Sequence, residues 1–186
     1  MAGVSAVDPR VSFAELCQWP DDGRRYELYD GEVIMVPAPV PRHQLVVIRI
    51  TGLLLDYAET SGGLALASPI DIAFSEHDVV QPDLVFFLRE RRPLIDMSQV
   101  IRVAPDLAVE VLSRSTEARD RGRKMHLFAR FGVPEYWIVD PVRNTLEIYG
   151  LEAGDYALKA TFGEHGRAQS PTLPGLTVDA DRIFQE

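Results

Sequence analysis

Two strongly hydrophobic runs in this chain each carry one carboxylate in the middle, and no other feature constrains the fold as much. The first run extends from Val79 to Leu88 and contains Asp83, and the second extends from Asp106 to Leu112 and contains Glu110. Short runs rich in Val, Leu and Phe predict buried strands. An ionised carboxylate in an apolar strand is costly unless it is paired, hydrogen-bonded or bound to a metal. We therefore expect two core strands whose carboxylates share one polar site.

The segment after the second strand predicts a helix with a lysine on its buried face. Ser113 to Thr116 is a plausible helix start, and Gly132 ends the helix after about Phe131. One helical stripe contains Asp120, Lys124, Leu127, Phe128 and Phe131. The end of this stripe is apolar, so its polar beginning should also face the core. We expect Lys124 to fold back over the sheet near Glu110, where small Ala108 leaves room.

The remaining segments predict an α/β domain built on a single mixed sheet with helices packed on it. Glu76 to Asp78 should form the turn of an antiparallel strand pair, and Asp30-Gly31 is a strong hairpin signal. The other predicted elements are a short helix from Ser12 to Trp19, a helix from Arg42 to about Thr60, strands over Leu64 to Phe74 and Tyr136 to Val139, and a closing hairpin from Leu146 to Ala160.

Composition is typical of a single globular domain and excludes several classes of protein. The 186 residues are 46% hydrophobic and 25% charged, which suits one domain over residues 1–186. A lone cysteine, Cys17, excludes an internal disulfide. Met1 to Arg10 shows no secretory signal, and no apolar run reaches membrane-spanning length. We expect a cytoplasmic protein that does not enter membranes.

The net charge of −9 argues against a general nucleic-acid coat, although it does not exclude an enzyme that contacts DNA locally. Basic residues nevertheless form two groups: Arg114, Arg119, Arg121, Arg123, Lys124 and Arg130, and separately Arg89, Arg91, Arg92 and Arg102. These groups are either solvated faces or phosphate contacts, and the sequence leaves both interpretations open.

Two carboxylates and an inward lysine suit metal-assisted hydrolysis. Mg²⁺ prefers oxygen ligands and keeps several waters, and a bound cation activates water and offsets charge on a phosphoryl oxygen. Neither a zinc-type His/Cys cluster nor a phosphate-binding glycine loop is present in the sequence. Each residue also has a structural alternative. Asp83 could cap a turn, Glu110 could pair with an arginine, and Lys124 could pair with Asp120. His43 could be a surface or capping residue, and Glu27 could be solvated on its hairpin.

These residues resemble the PD-(D/E)XK nuclease superfamily, whose core is a mixed sheet flanked by helices. Pro82-Asp83 matches the first half of its signature, and Glu110-Val111-Leu112 matches the second except that Leu112 replaces the lysine. The chain resembles more closely the Uma-type restriction endonuclease family of that superfamily, in which the lysine lies on the following helix. The matching motifs are Tyr26-Glu27-Leu28, Asp30-Gly31-Glu32, His43, Pro82-Asp83-Leu84, Glu110-Val111-Leu112-Ser113, Asp120 with Lys124, and Gly132-Val133-Pro134-Glu135-Tyr136-Trp137.

The resemblance implies a restriction-endonuclease-like core over approximately residues 25–160 and a role for each matched residue. Asp83 and Glu110 would bind Mg²⁺, with Mn²⁺ as a substitute and the carbonyl of Val111 as a third protein ligand. Lys124 would orient the attacking water. Glu27 and His43 would be outer members of the catalytic site, and Asp120 would hold Lys124 in place. Phe128 stands where a tyrosine is frequent, so a hydroxyl is missing there.

The function implied is a Mg²⁺-dependent endonuclease that hydrolyses DNA, acting as a homodimer because relatives that cut both strands are often dimers. The main alternative is a catalytically inactive nuclease fold that serves as a binding or interaction module. RNA cleavage, or regulation beside a partner nuclease, is a third. Catalysis needs Asp83, Glu110 and Lys124 together, whereas a scaffold needs only the hydrophobic strands.

Overall fold

The computed structural model describes residues 10–163 and 165–185. The amino-terminal segment, for which no secretory signal is predicted, lies almost wholly outside them. In chain order the elements are α1 (Phe13–Leu16), β1 (Arg25–Tyr29), β2 (Glu32–Val36), α2 (Pro41–Ser61), β3 (Leu64–Ala67), β4 (Ile72–Ala73), β5 (Val79–Val80), β6 (Leu84–Phe87), a 3₁₀ turn (Arg92–Leu94), β7 (Leu107–Val111), α3 (Glu117–Arg119), a π-helical turn (Asp120–Lys124), α4 (Met125–Arg130), β8 (Glu135–Asp140), β9 (Thr145–Glu152), β10 (Asp155–Phe162), β11 (Arg167–Gln169), β12 (Thr177–Asp179) and α5 (Ala180–Phe184).

A six-stranded mixed sheet in the order β10-β9-β8-β7-β6-β3 forms the centre of the fold. Its neighbours pair antiparallel except β7 and β8, which are parallel. Buried residues of α2 and α5 pack on one face, and α4 contributes Leu127 and Phe128 to the core on the other. The predicted architecture of a mixed sheet flanked by helices is therefore confirmed.

The predicted alternation along β7 is also confirmed. Leu107, Val109 and Val111 belong to the core beneath α2, whereas Ala108 and Leu112 belong to the core beneath α4. Because side chains in a strand alternate between faces, Glu110 lies on the same face as Ala108 and Leu112. This places its carboxylate on the side of the sheet that the lysine-bearing helix covers.

The prediction of a single sheet was wrong. The segments 64–74 and 79–88, each predicted to be one strand, each contribute to two sheets. Residues 64–74 form β3 and β4, and residues 79–88 form β5 and β6. β4 and β5 join β1 and β2 in a second sheet of order β2-β1-β5-β4. Pro69 and Pro82 stand in the breaks, where proline has no N–H to continue a strand ladder. Asp83 consequently lies at the junction between the sheets rather than inside a strand.

The helix after β7 is shorter and less regular than the sequence predicts. Helical structure begins at Glu117, whereas residues 113–116 form a hydroxyl-rich loop in which the Ser113 and Thr116 side-chain oxygens lie 3.0 Å apart. Asp120–Lys124 is a π-helical turn rather than part of an α-helix. Such turns are rare and occur frequently at functional sites. Gly132 follows with φ +73°, which ends the helix as predicted.

A carboxyl-terminal unit of β11, β12 and α5 was not predicted. The buried carboxylate of Glu135 anchors this unit, since its Oε2 accepts hydrogen bonds from Ser170 Oγ at 2.6 Å and Thr172 N at 2.9 Å. Ile183 and Phe184 of α5 then complete the core beneath α2. Short apolar segments with no long periodic pattern gave little sequence signal for this unit.

The longest described helix, α2, is interrupted by charged residues. α2 is 21 residues long and contains Arg42, Arg49, Asp56 and Glu59. Within residues 10–163 and 165–185, no helix combines the length and apolar character needed to cross a membrane.

Replacement by alanine should have opposite effects on stability at Gly52, in α2, and at Gly63, just after α2. At Gly63 a Cβ would lie 2.3 Å from Phe86 Cζ and 2.8 Å from the Phe87 carbonyl oxygen, whereas nothing lies within 4 Å at Gly52. We expect Gly63→Ala to lower the free energy of unfolding by about 1–3 kcal/mol through overpacking. Gly52→Ala should raise it by about 1 kcal/mol through helix propensity. Urea denaturation of both variants tests this, and equal shifts would contradict the described packing.

Candidate active site

A cleft opens where the two sheets meet, and most of the predicted site residues line it. It is open to solvent, and the space between its walls is about 500 Å³ when the open solvent is included. Its walls come from β1, the segment after β2, the start of α2, the Pro82 break, β7 and the π-turn. The residues that line it include Arg25, His43, Ser68, Gln81, Asp83, Glu110, Val111, Ser113, Thr116, Arg119, Asp120 and Lys124.

Lys124 is the centre of the site, and its predicted inward orientation is confirmed. Its side chain is 2% exposed. The ammonium Nζ lies 2.7 Å from Glu110 Oε1 and 2.9 Å from Glu27 Oε1, and it donates to the Gln81 carbonyl at 3.1 Å. The contact with the Gln81 carbonyl is a hydrogen bond, and the two contacts with carboxylates are ion pairs. The contacts join β1, the Pro82 break, β7 and the π-turn at one atom.

Glu27 occupies a more central position than the sequence predicted. It is fully buried and contacts Lys124 directly, so it is not a solvated hairpin residue. Its Oε1 also accepts from Gln81 N at 2.8 Å, and its Oε2 accepts from Tyr29 Oη at 2.9 Å. Glu27 and Tyr29 are two residues apart on β1 and therefore share a face.

Asp83 and His43 form a second pair at the cleft. His43 Nε2 lies 3.2 Å from Asp83 Oδ2, and the same oxygen accepts a hydrogen bond from Val111 N at 2.8 Å. His43 is buried in the first turn of α2, so the alternative of a surface residue is wrong. The bond from Val111 fixes Asp83 beside the strand residue that follows Glu110. Whether the Val111 carbonyl binds a metal stays a prediction.

Asp120 is buried on the same π-turn as Lys124, but it does not form the predicted pair with it. The ion pairs of Lys124 are those with Glu27 and Glu110, whereas Asp120 Oδ1 lies 4.0 Å from Arg119 Nε. Hydrogen bonds in a π-turn reach five residues back instead of four, which shifts residues four apart out of alignment. The same turn brings Arg119 Nε to 3.5 Å from Glu27 Oε2.

The electrostatics of the cluster keep Lys124 charged. Burial alone would lower the pKa of Lys124, but the charges of Glu110 and Glu27 raise that pKa well above its usual value. Burial also opposes ionisation of Glu27, yet Lys124 and Arg119 hold the pKa of Glu27 below its usual value. Lys124 can therefore donate hydrogen bonds and stabilise negative charge, but it cannot serve as a general base near neutral pH.

In contrast to Glu27, the carboxyl groups of Glu110 and Asp120 have raised pKa values. Burial, and then the charges of Asp120, Asp83 and Glu27, raise the pKa of Glu110 well above its usual value, although Lys124 partly offsets them. Burial likewise raises the pKa of Asp120. For His43, burial would lower the pKa, but the hydrogen bond and charge of Asp83 raise it. Burial and the closeness of several carboxyl groups therefore favour the neutral forms of Glu110 and Asp120, and Asp83 favours the charged form of His43.

The donor set fits one hard divalent cation. The site contains four carboxylates, those of Glu27, Asp83, Glu110 and Asp120. The permanent cations Arg119 and Lys124 contact three of them, whereas Asp83 contacts His43. Fully ionised, the four carboxylates exceed the permanent cations Arg119, Lys124 and cleft-lining Arg25 by one negative charge. Glu110 Oε1 is buried without a well-aligned hydrogen bond. No group of three or more His, Cys, Asp or Glu side chains forms a metal cage in the described residues, but Mg²⁺ is usually bound by one or two carboxylates plus waters.

Most of the basic residues along the π-turn and α4 form ion pairs with carboxylates of the protein. Arg121 makes two 2.8 Å bonds to Glu147. Arg123 contacts Glu32 at 2.7 Å, and Arg130 contacts Asp78 at 2.5 Å. In the second group, Arg91 pairs with Asp106 and Arg102 with Glu76. For these five arginines, ion pairing on the protein's own surface is the better interpretation than phosphate contact.

Sequence reasoning missed three contributors to the site. Gln81 acts through its backbone N–H and carbonyl, which leave no side-chain signal. Arg119 belongs to a group of cations that the sequence cannot distinguish from a solvated face, yet its side chain is only 14% exposed. Tyr29 could have been found, because it alternates with Glu27 on the same strand.

Comparison with known proteins identifies the family. Residues 13–181 match the family described as "Uma2: Putative restriction endonuclease". The chain belongs to the Uma2 family. The family resemblance inferred from the motifs is thereby confirmed. A relative is the uncharacterized protein slr1290 of Synechocystis sp., which is 28% identical over 97% of this chain and 95% of its own length.

A solved structure confirms the fold. The crystal structure of "a putative nuclease belonging to DUF820" from Anabaena variabilis is similar with a TM-score of 0.76, and the match covers 94% of this chain and 97% of that one. The sequence identity of 19% is low. The likeness therefore concerns the arrangement of the Uma2 chain's strands and helices rather than its activity.

Replacing Lys124 should destabilise the protein far more than replacing its neighbour Arg123. Lys124→Met leaves Glu27 and Glu110 buried without their cation, and breaking a buried ion pair in this way costs about 3–5 kcal/mol. Arg123 pairs with Glu32 at the exposed surface, so Arg123→Met should cost about 1 kcal/mol or less. Chemical denaturation near neutral pH measures both. Similar losses in the two variants would contradict the central position of Lys124.

Proposed function

We propose that this Uma2-family chain is a Mg²⁺-dependent endonuclease that hydrolyses phosphodiester bonds in DNA. The observation that carries the proposal is a fully buried lysine ammonium held between Glu27 and Glu110, in one cleft with Asp83. Buried charged groups with shifted pKa values cluster at catalytic sites. In a protein that served only as a scaffold, burying them would cost stability without a functional gain. Membership in a family described as restriction endonucleases supports the same reaction class.

Asp83 and Glu110 would hold the metal, with the Val111 carbonyl as a further ligand and Mn²⁺ as a substitute for Mg²⁺. Both side chains and Val111 line the cleft. When bound, Mg²⁺ supplies positive charge for the phosphoryl oxygens and lowers the pKa of a coordinated water. The hydrogen bond that Asp83 accepts from Val111 N and its contact with His43 hold its carboxylate in place, which supports this role.

The remaining residues would position these groups without binding the metal themselves. Lys124 would donate a hydrogen bond to the attacking water and stabilise negative charge on the phosphate. Glu27 would keep the ammonium in place, because its two oxygens are fixed by Gln81 N and Tyr29 Oη. His43 would hold Asp83 in one orientation. Arg119 would offset the charges of Glu27 and Asp120.

Divalent metal should stabilise the folded protein only when Asp83 is intact. A ligand that binds the native state raises stability according to its concentration relative to its dissociation constant. We expect Mg²⁺ and Mn²⁺ to raise the melting temperature of the wild type but not of Asp83→Asn. Glu147→Gln is the matched control, because Glu147 pairs with Arg121 outside the cleft. An equal metal response in Asp83→Asn and wild type would refute the metal assignment.

DNA cleavage tests the activity itself. Plasmid and single-stranded DNA are incubated with Mg²⁺ or Mn²⁺, and we expect cutting by the wild type that falls by about 10²-fold or more in Lys124→Gln. Arg123→Gln should cut at the wild-type rate. We also propose a homodimer, which would bring two active sites to one duplex. Such a dimer would linearise plasmid directly instead of only nicking it.

Three results would contradict part or all of the proposal. Cutting that survives Lys124→Gln would place the reaction elsewhere or in a contaminant. No cutting of either DNA with either metal would favour an inactive binding module. Cutting of RNA alone would keep the reaction class and change the substrate.

A further inference from the structure

Arg25 differs from the other arginines near the cleft, since it is not engaged by a carboxylate. In the described residues, no Asp or Glu oxygen lies within ion-pair distance of its guanidinium. Its side-chain hydrogen bond runs from Nη1 to Ser68 Oγ at 3.0 Å. By contrast, Arg119, Arg121 and Arg123 all contact carboxylates. Arg25 therefore retains donors and charge for a ligand.

The position of Arg25 is set by the same strand that carries Glu27 to Lys124. The two residues are separated by one position on β1, so their side chains project from the same face. Glu27 reaches the buried centre, whereas Arg25 is half-buried and lines the cleft. On this face of β1, Arg25 therefore lies nearer to solvent, and Glu27 lies deeper, in contact with the Lys124 ammonium.

Ser68 links Arg25 to the proposed metal ligand. The Ser68 hydroxyl accepts from Arg25, and the Ser68 N–H donates to the Asp83 carbonyl at 2.8 Å. Ser68 and Asp83 belong to the two proline breaks where the sheets separate, so this contact is part of the junction. The chain of contacts fixes the guanidinium relative to Asp83 without neutralising it.

We infer that Arg25 binds a phosphate of the substrate strand at the edge of the cleft, held there by Ser68. This inference rests on the proposed nuclease function and adds a substrate contact to it. A guanidinium presents planar paired donors that match phosphate oxygens. A cleft rich in carboxylates repels a polyanion, so a strand entering it needs fixed positive charge at the rim. Arg25 supplies that charge from a rigid strand.

Salt-dependent binding distinguishes a phosphate contact from a structural role. Each phosphate contact contributes about 0.9 to the slope of log K against log salt concentration on duplex DNA. We expect Arg25→Gln to bind a labelled duplex about tenfold more weakly and to reduce the slope by about 0.9. Arg24→Gln is the matched control, since Arg24 is the adjacent cation, exposed, and near Asp22; its slope should equal that of the wild type.

A charge-preserving variant separates the geometry of the contact from its charge. Arg25→Lys should keep the wild-type salt slope but bind more weakly, because an ammonium cannot make paired bonds to phosphate. Fluorescence anisotropy gives the affinities, measured with EDTA and again with Ca²⁺, and thermal melting verifies that each variant is folded. A folded Arg25→Gln that binds with unchanged slope would overturn the inference, even if its affinity falls.

The outcomes also separate this inference from the proposed function. If the wild type cuts DNA and Arg25→Gln matches Arg24→Gln in slope and affinity, the Arg25 contact is wrong and the nuclease stands. If the wild type neither binds nor cuts DNA in any of these conditions, both are overturned. A reduced slope in Arg25→Gln together with wild-type slopes in Arg24→Gln and Arg25→Lys supports the phosphate contact.

Discussion

The site depends on one buried ammonium group and its three acceptors. Lys124 Nζ meets carboxylates from β1 and β7 and the Gln81 carbonyl from the break between β5 and β6. A buried charge is tolerated only where paired and hydrogen-bonded partners surround it, so this atom requires all three segments to meet. The hairpin carrying Glu27, the sheet junction and the π-turn are thus constrained by a single contact point.

The two-sheet arrangement explains why Asp83 is accessible while Glu110 is buried. A strand running unbroken from Val79 to Leu88 would carry Asp83 within a ladder, between neighbouring strands. Pro82 ends that ladder instead, and Asp83 turns toward the cleft with a side chain that is 19% exposed. Its bond from Val111 N then connects the junction to β7. One metal-binding candidate is consequently open to solvent, and the other lies against the lysine.

The distribution of charge is compatible with the proposal that this acidic chain acts on a polyanion. Most cations near the cleft are neutralised by local carboxylates, such as Arg121 by Glu147 and Arg123 by Glu32. They add little to the attraction of distant DNA, in keeping with the net charge of −9. The few uncommitted groups at the cleft therefore matter more than the total count of basic residues. Specific placement can replace a broad basic surface when only a short stretch of strand is contacted.

The motifs and the strand periodicity alone indicated the mixed sheet, the face occupied by Glu110, and the inward orientation of Lys124, because alternation and helical spacing are local properties. Family membership was predictable from the resemblance of the ordered motifs to those of a known family. The sequence did not reveal that Glu27 is central, that Asp120 does not pair with Lys124, or that Gln81 supplies both a donor and an acceptor. Those facts depend on backbone groups, on a π-turn and on proline breaks that send one run into two sheets. Only the tertiary structure decides them, since contacts between segments distant in sequence determine which local conformation is stable.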